Sequence, residues 1–301
     1  MNAYLPISIL AYGLGATTVI IDKILLRKQI PNPTTYVFYL SILGFLVLIL
    51  IPFGVIFEPV SFFYSILSGI LFNLGLLLFF QALRAGEASV VQPVVGSLNP
   101  LFSLIIGWLL LSQALTNIQF LSFVIIIAGT LILTYNLWIS KLEFNKQLLL
   151  MFLAGVFFAL SYITLREAFL QSNFLTGLTV SRLGGGLFAL TFLFFPQTRR
   201  EIFSSKLTRH HFANKLSLLL FAGQTMGAVS GLLITYAVSL TNPALVNSLF
   251  GIQYLVILGA ALFLAHEHRS KLLDERLTKG ALVQKFIGSG FLSLGVYLLS
   301  K

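Results

Sequence analysis

The sequence predicts an all-α integral membrane protein of about ten transmembrane helices in two inverted five-helix repeats, and three observations predict it. The first is composition. Of 301 residues, 57% are hydrophobic and only 9% are charged. A soluble domain covers its surface with roughly 25% charged residues, so most of this surface faces lipid. The second is the length of the apolar runs. Crossing the hydrocarbon core takes about 20 apolar residues. Such runs fall at 4–26, 34–57, 60–83, 88–111, 117–139, 147–170, 174–196, 212–239, 243–264 and 280–300. The third is an internal repeat. Residues 77–109 align without a gap on 232–264, so that Leu77, Leu78, Ala82, Val91, Gly96 and Leu109 face identical Leu232, Leu233, Ala237, Val246, Gly251 and Leu264.

Each run is read as a helix because backbone groups in lipid must bond within their own segment. A β-barrel would alternate apolar and polar residues. The stretch Phe38 to Phe57 is almost continuously apolar, which excludes it. The spans use nearly the whole chain and leave no room for a separate soluble domain. The repeat continues where AGTLIL (128–133) meets LGVYLL (294–299), after an extra loop from His266 to Lys279. The two repeats are then 1–140 and 141–301, with five spans each. Five is odd, so the second repeat enters the membrane from the other side, an arrangement found in transporters.

Charge follows the same plan. Alternate loops, beginning with the first, place Lys23, Arg27, Lys28, Arg84, Lys141, Lys146, Arg199, Arg200, Lys206, Arg209, Lys215, Arg269, Lys271, Arg276 and Lys279 on one side. The other side holds little beyond Arg166 and Lys301. The positive-inside rule puts the basic side in the cytoplasm and both termini outside. The net charge of +10 is thereby assigned to loops and anionic lipid headgroups. No folded module gathers it into a nucleic-acid surface. With no cysteine, disulfides, thiolate metal sites and cysteine nucleophiles are excluded. The first residues, Met1 to Pro6, lack a basic region and a small-residue cleavage site, so the first span is expected to be retained.

The stretch 79–133 carries Gln81-Ala82-Leu83 at a helix end, a short turn to Ala88-Ser89-Val90, Pro100 in the next helix and a closing Ala128-Gly129. These features resemble the EamA-type repeat of the drug/metabolite transporter superfamily. The second half, with Tyr236-Ala237 and Gly288 to Gly295, resembles it more weakly. Such repeats often carry Gly-Glu after the fourth helix; here Ser112-Gln113 stands there, and the second half has His266-Glu267-His268. The resemblance implies ten helices in two repeats. It also implies transport of metabolites, often amino acids or sugar-related solutes, by alternating access, with a cavity lined by the first, third and fourth helices of each half.

Polar side chains inside those helices are the candidate site. Tyr12, Thr17, Asn73, Gln92, Asn99, Tyr162, Arg182, Gln224, Asn247 and Tyr254 are expected to meet the substrate. Thr18, Ser161, Thr225, Ser230 and Gln253 share those helices. Taken singly, each polar residue is better explained as glue between helices, worth about 0.6 kcal/mol per bond. As a set they say more, because Gln92 aligns with Asn247 and Asn99 with Tyr254. Arg182, about two turns into the seventh span, is a candidate partner for a carboxylate or phosphate, or a snorkelling side chain. Arg166 with Glu167 reads as a surface pair near a helix end, with Asp22-Lys23 at the matching place in the first half. Pro93, Pro100 and Pro243 read as kinks, hinges or helix starts. Gly223, Gly227 and Gly231, like Gly184 to Gly186, read as packing grooves.

The acids lie at or near span ends: Asp22, Glu58, Glu87, Glu143, Glu167, Glu201, Glu267, Asp274 and Glu275. A proton-coupled exporter of cations needs a buried acid, so neutral, zwitterionic or anionic solutes are favoured. His210-His211 and His266/His268 match no helical metal-ligand spacing, and no cofactor is expected. The leading reading is a non-enzymatic secondary transporter for a small polar solute, a monomer or homodimer in contact with membrane lipid. The expected location is a bacterial or archaeal cytoplasmic membrane. The alternatives are a membrane-embedded enzyme, which would need clustered acids, bases or metal ligands, and a structural subunit without a pathway.

Overall fold

A computed structural model describes residues 4–28, 32–111, 116–139, 146–204, 215–241, 246, 249, 253, 256–257, 259–260, 262–263 and 278–299. Among them every regular element is helical. In chain order these are α1 (Tyr4–Lys28), α2 (Pro33–Gly44), α3 (Pro59–Ala85), α4 (Ala88–Leu111), α5 (Asn117–Ile139), α6 (Lys146–Gln171), α7 (Phe174–Leu190), α8 (Pro196–Ser204), α9 (Lys215–Leu240) and α10 (Lys279–Leu299). By length and composition 7 candidate spans are present among the described residues, at Tyr4–Leu25, Pro33–Phe53, Pro59–Ala85, Lys146–Gln171, Phe174–Phe194, Phe221–Leu240 and Lys279–Leu298. Helices also occupy the predicted spans 88–111 and 117–139. Most of the predicted span 243–264, with Asn247, Tyr254 and Pro243, lies outside the described residues.

Local sequence sets the ends. Asn32 caps α2 by accepting a bond from the Thr34 amide at 2.9 Å, and Pro33 follows at the position where no amide is needed. The expected span 34–57 stops early. After Gly44 it tightens into a 3-10 stretch, Phe45–Phe53, that contains Pro52 and ends at Gly54 with φ 122°. Only glycine takes that backbone without strain. Asn173 caps α7 through the Thr176 amide at 2.8 Å and donates to the Gly54 carbonyl at 2.7 Å, so one side chain fixes both turns. Helix α4 continues through Pro93 and Pro100 without a break in assignment. The short α8, expected as loop, is anchored by buried Ile202, whose carbonyl accepts the Tyr39 hydroxyl at 2.8 Å.

Packing links helices far apart in sequence. Helix α3 lies along α6 and α7, α1 along α9, α5 along α10, and α2 against α7. Ser61 donates to the Ala168 carbonyl at 3.1 Å, while Ser68 and Ser161 each donate to the other's carbonyl at 2.9 Å. The partner numbers fall as the α3 numbers rise, so α3 and α6 are antiparallel. The same holds for α1 and α9, where Ser230 bonds the Ala11 carbonyl at 2.8 Å and Gly223 faces Ile21. Glycines set the closeness of these crossings. A Cβ on Gly69 would fall onto the Ser181 carbonyl, and one on Gly185 would lie 2.8 Å from Asn73 Nδ2. The packing reading of Gly184 to Gly186 therefore holds. It also holds for Gly223 and Gly227, which meet Ile21 and Thr18 at 2.6 and 2.9 Å.

Candidate substrate site

Arg182 stands at the middle of α7, a helix of 17 residues. Its guanidinium carbon lies 5.6 Å from the centre of the Phe72 ring on α3. Its Cδ and a terminal nitrogen are 4.0 and 3.4 Å from where Cβ atoms would sit on Gly44 of α2 and Gly231 of α9. Tyr162 of α6 packs its ring edge-on to Phe72 with centroids 6.4 Å apart, so its ring and the guanidinium both lie against Phe72. Elements α2, α3, α6, α7 and α9 thus converge on one cation. The third glycine of the 223/227/231 series gives the guanidinium its space, where the first two receive α1.

No hydrogen bond or ion pair to Arg182 is present among the described residues. The sequence from 243 to 264 contains no Asp or Glu that could supply one. A cation at a span centre costs about 3 kcal/mol, and a cation–π contact returns about 1–2 kcal/mol when desolvated. The aromatic neighbours therefore leave the charge undercompensated. The Tyr162 hydroxyl likewise makes no hydrogen bond among the described residues, so donors from both side chains stand open in one neighbourhood.

Other expected site residues divide between this neighbourhood and elsewhere. Tyr12 is buried with Ala237, Val238 and Val246, a cluster that Tyr162 also packs against. Asn73 is adjacent but engaged: its amide nitrogen donates to Ser41 Oγ at 2.7 Å and to the Gly185 carbonyl at 2.6 Å. Thr17 bonds only its own helix, to the Gly13 carbonyl at 3.3 Å. Gln92 and Asn99 are buried on α4, and Gln92 Oε1 has no partner among the described residues. Gln253 and Ser230 meet at Gly15, where α1 and α9 cross.

Gln224 belongs to a second polar cluster. Its amide nitrogen donates to the Tyr36 hydroxyl at 2.8 Å, and that hydroxyl donates to Asp22. Asp22 is only 5% exposed, inside the span Tyr4–Leu25. It was expected at a solvated helix end; α2 and α9 wrap it instead. The sequence argument that no acid is buried therefore fails at this residue.

Cations near helix ends are also placed differently from expectation. Arg166 does not serve as a surface partner for Glu167. It donates to the carbonyls of Val238 and Ser239 at 3.3 and 2.7 Å. Lys23 is 3% exposed and donates to the Leu83 carbonyl at 2.7 Å and to that of Gly86. Lys285, inside the last predicted span, pairs with Glu87 in the turn between α3 and α4. A lysine six residues into an apolar run was visible in the sequence, but its partner was not.

No group of three His, Cys, Asp or Glu side chains suited to a metal occurs among the described residues. A depression of about 320 Å³ between Leu262, Leu282, Val283, Phe286 and Ile287 is wholly apolar, as a lipid-facing surface is, and has no part in the site.

With this geometry in place, comparison with known proteins is informative. Residues 2–135 match the EamA-like transporter family. This part of the chain is similar to that family. It contains α1 to α4 and most of α5, and hence Tyr12, Asn73, Phe72, Asp22 and both α4 amides. Together with the seven candidate spans among the described residues, this likeness supports an integral membrane protein. An uncharacterised protein of Methanocaldococcus jannaschii is 36% identical over 73 residues, which is 24% of this chain and 53% of the relative. The match therefore spans about half the length of that relative. One solved crystal structure resembles the chain with a TM-score of 0.58 at 15% identity, covering 99% of this chain and 97% of that one. At that identity the likeness is one of fold, and it extends beyond the EamA-like region through the second half.

Proposed function

We propose that the chain is a secondary transporter or facilitator that moves a small polar metabolite across a membrane by alternating access. The observation that carries this is the reciprocal packing of α1 on α9 and of α6 on α3. If the halves are 1–140 and 141–301, each first helix lies against the third helix of the other half. The fifth helices, α5 and α10, pair with each other, as do the second helices, α2 and α7. Two modules related by a two-fold axis in the membrane plane would pack in this way. Antiparallel α3 and α6 support inversion: the second module's first helix runs against an odd-numbered helix of the first. Ala82 with Ala237 and Val91 with Val246, identical in the alignment, are all fully buried, which suits equivalent positions in two copies of one module.

In this reading the two modules rock about a site near the midplane, and Arg182 marks its depth. Counterflow in proteoliposomes, with a panel of neutral, zwitterionic and anionic metabolites, tests it. Saturable exchange of at least one solute is expected. A correctly folded protein that exchanges none of them would end the transporter reading in favour of a structural subunit.

A further inference from the structure

We propose that Arg182, Tyr162 and Phe72 form an anion-binding site whose ligand is a water-borne carboxylate or phosphate carried on an apolar or aromatic body; the part that makes this ligand the transported solute rests on the transporter reading above.

Three observations lead to it. First, the guanidinium lies at mid-span and no carboxylate or hydrogen-bond acceptor engages it among the described residues. The buried acid Asp22 is already held by Tyr36. A guanidinium presents five donors in a planar fork suited to two parallel bonds with a carboxylate or phosphate. Second, the Tyr162 hydroxyl is a further donor without a hydrogen bond among the described residues, on a ring packed against the same Phe72 that the guanidinium faces. Two donors of this kind favour an acceptor-only ligand over a neutral one. Third, Phe72 and Tyr162 flank the cation with ring surface and are themselves only partly buried. That surface offers contact to an apolar body next to the anionic group. Asn73, one residue from Phe72, has its amide nitrogen locked between Ser41 and the Gly185 carbonyl. It fixes α3 against α7 and so holds the ring and the cation in register.

A lipid headgroup could carry the same chemistry. Arg182 is eight residues from the start of α7, about 12 Å along the helix, which places it away from the headgroup layer. The test separates the two sources. Phenylacetate and its uncharged counterpart phenylacetamide are titrated into purified full-length protein in phosphatidylcholine nanodiscs, with Arg182→Gln and Arg182→Lys in parallel. Phenylacetate is expected to bind roughly 10- to 100-fold more tightly than the amide, the range of one or two charge-assisted hydrogen bonds. Arg182→Gln loses that preference, and Arg182→Lys, which keeps the charge, recovers part of it. Equal binding of acid and amide, a preference that survives in Arg182→Gln, or no binding of phenylacetate or phenyl phosphate overturns the site. Competition by added phosphatidylglycerol overturns the water-borne source. Counterflow separates this from the transporter reading. Undiminished exchange of neutral solutes, together with absent anion binding, ends the anion site and leaves transport standing. Arg182-dependent phenylacetate binding without exchange of any solute does the reverse.

Discussion

Lys23 and Arg166 make the same contact at equivalent places: Lys23 donates to the carbonyl of Leu83, and Arg166 to that of Val238, the residue aligned with Leu83. Each cation caps the end of a long helix, α3 or α9, where carbonyls lack intrahelical partners and the dipole is negative. Lys23→Met keeps the apolar stem and removes the charge, so it isolates the cap. A loss of about 1.5–3 kcal/mol is expected for Lys23→Met, and a smaller one for the less buried Arg166→Met. Reversible unfolding in detergent measures both; unchanged stability in Lys23→Met would discount the cap.

Lys285 and Glu87 form a pair whose side chains are 5% and 19% exposed. Removing one member leaves the other charge poorly solvated. Lys285→Ala is expected to destabilise by about 3 kcal/mol, whereas Lys285→Met combined with Glu87→Gln recovers much of the loss. A double-mutant cycle reads the coupling. Additive single effects would mean that the pair contributes nothing beyond its parts.

Glycines at the α3–α7 crossing are set apart from those facing open space. A Cβ on Gly69 meets backbone, while one on Gly290 of α10 meets nothing within 4 Å. Gly69→Ala is expected to cost about 1–3 kcal/mol through overpacking, and Gly290→Ala to be neutral or to gain about 0.5–1 kcal/mol of helix propensity. Thermal unfolding of the two variants side by side checks the contrast; similar behaviour would contradict the close crossing.

Asn99 on α4 is buried and aligns with Tyr254, while Asn247 aligns with buried Gln92. If both halves contribute to one polar path, Asn99→Ala and Asn247→Ala each reduce exchange several-fold, about 1 kcal/mol for one hydrogen bond, with normal membrane expression. Initial rates of counterflow at matched protein density decide this. Unaltered rates in both would remove these amides from the path.

Much of the fold was legible because it is local. An apolar run of sufficient length has one low-energy state in lipid, the helix. The predicted spans 88–111 and 117–139 accordingly coincide with α4 and α5. The early end of α2 at Gly44 was less visible, because the chain stays apolar to Phe57 and only Pro52 and Gly54 disturb it. The candidate site was legible as a set of polar residues but not as an arrangement. Arg182 stood out in sequence as a mid-span cation, but nothing there showed that Asn73 is already engaged and, among the described residues, Arg182 is not.

Taken alone, the sequence determined the solvent, the helices and the residues that lipid cannot satisfy, since each follows from the chemistry of neighbouring side chains. Only the tertiary structure decided which of those residues are already satisfied. Asn73 finds its carbonyl on Gly185, 112 positions away, and Asp22 finds Tyr36, which in turn accepts from Gln224 on a third helix. Among the described residues, Arg182 reaches rings and glycines and no hydrogen-bond acceptor. Hydrogen-bond partners between helices are fixed by crossing geometry, and no local pattern encodes that.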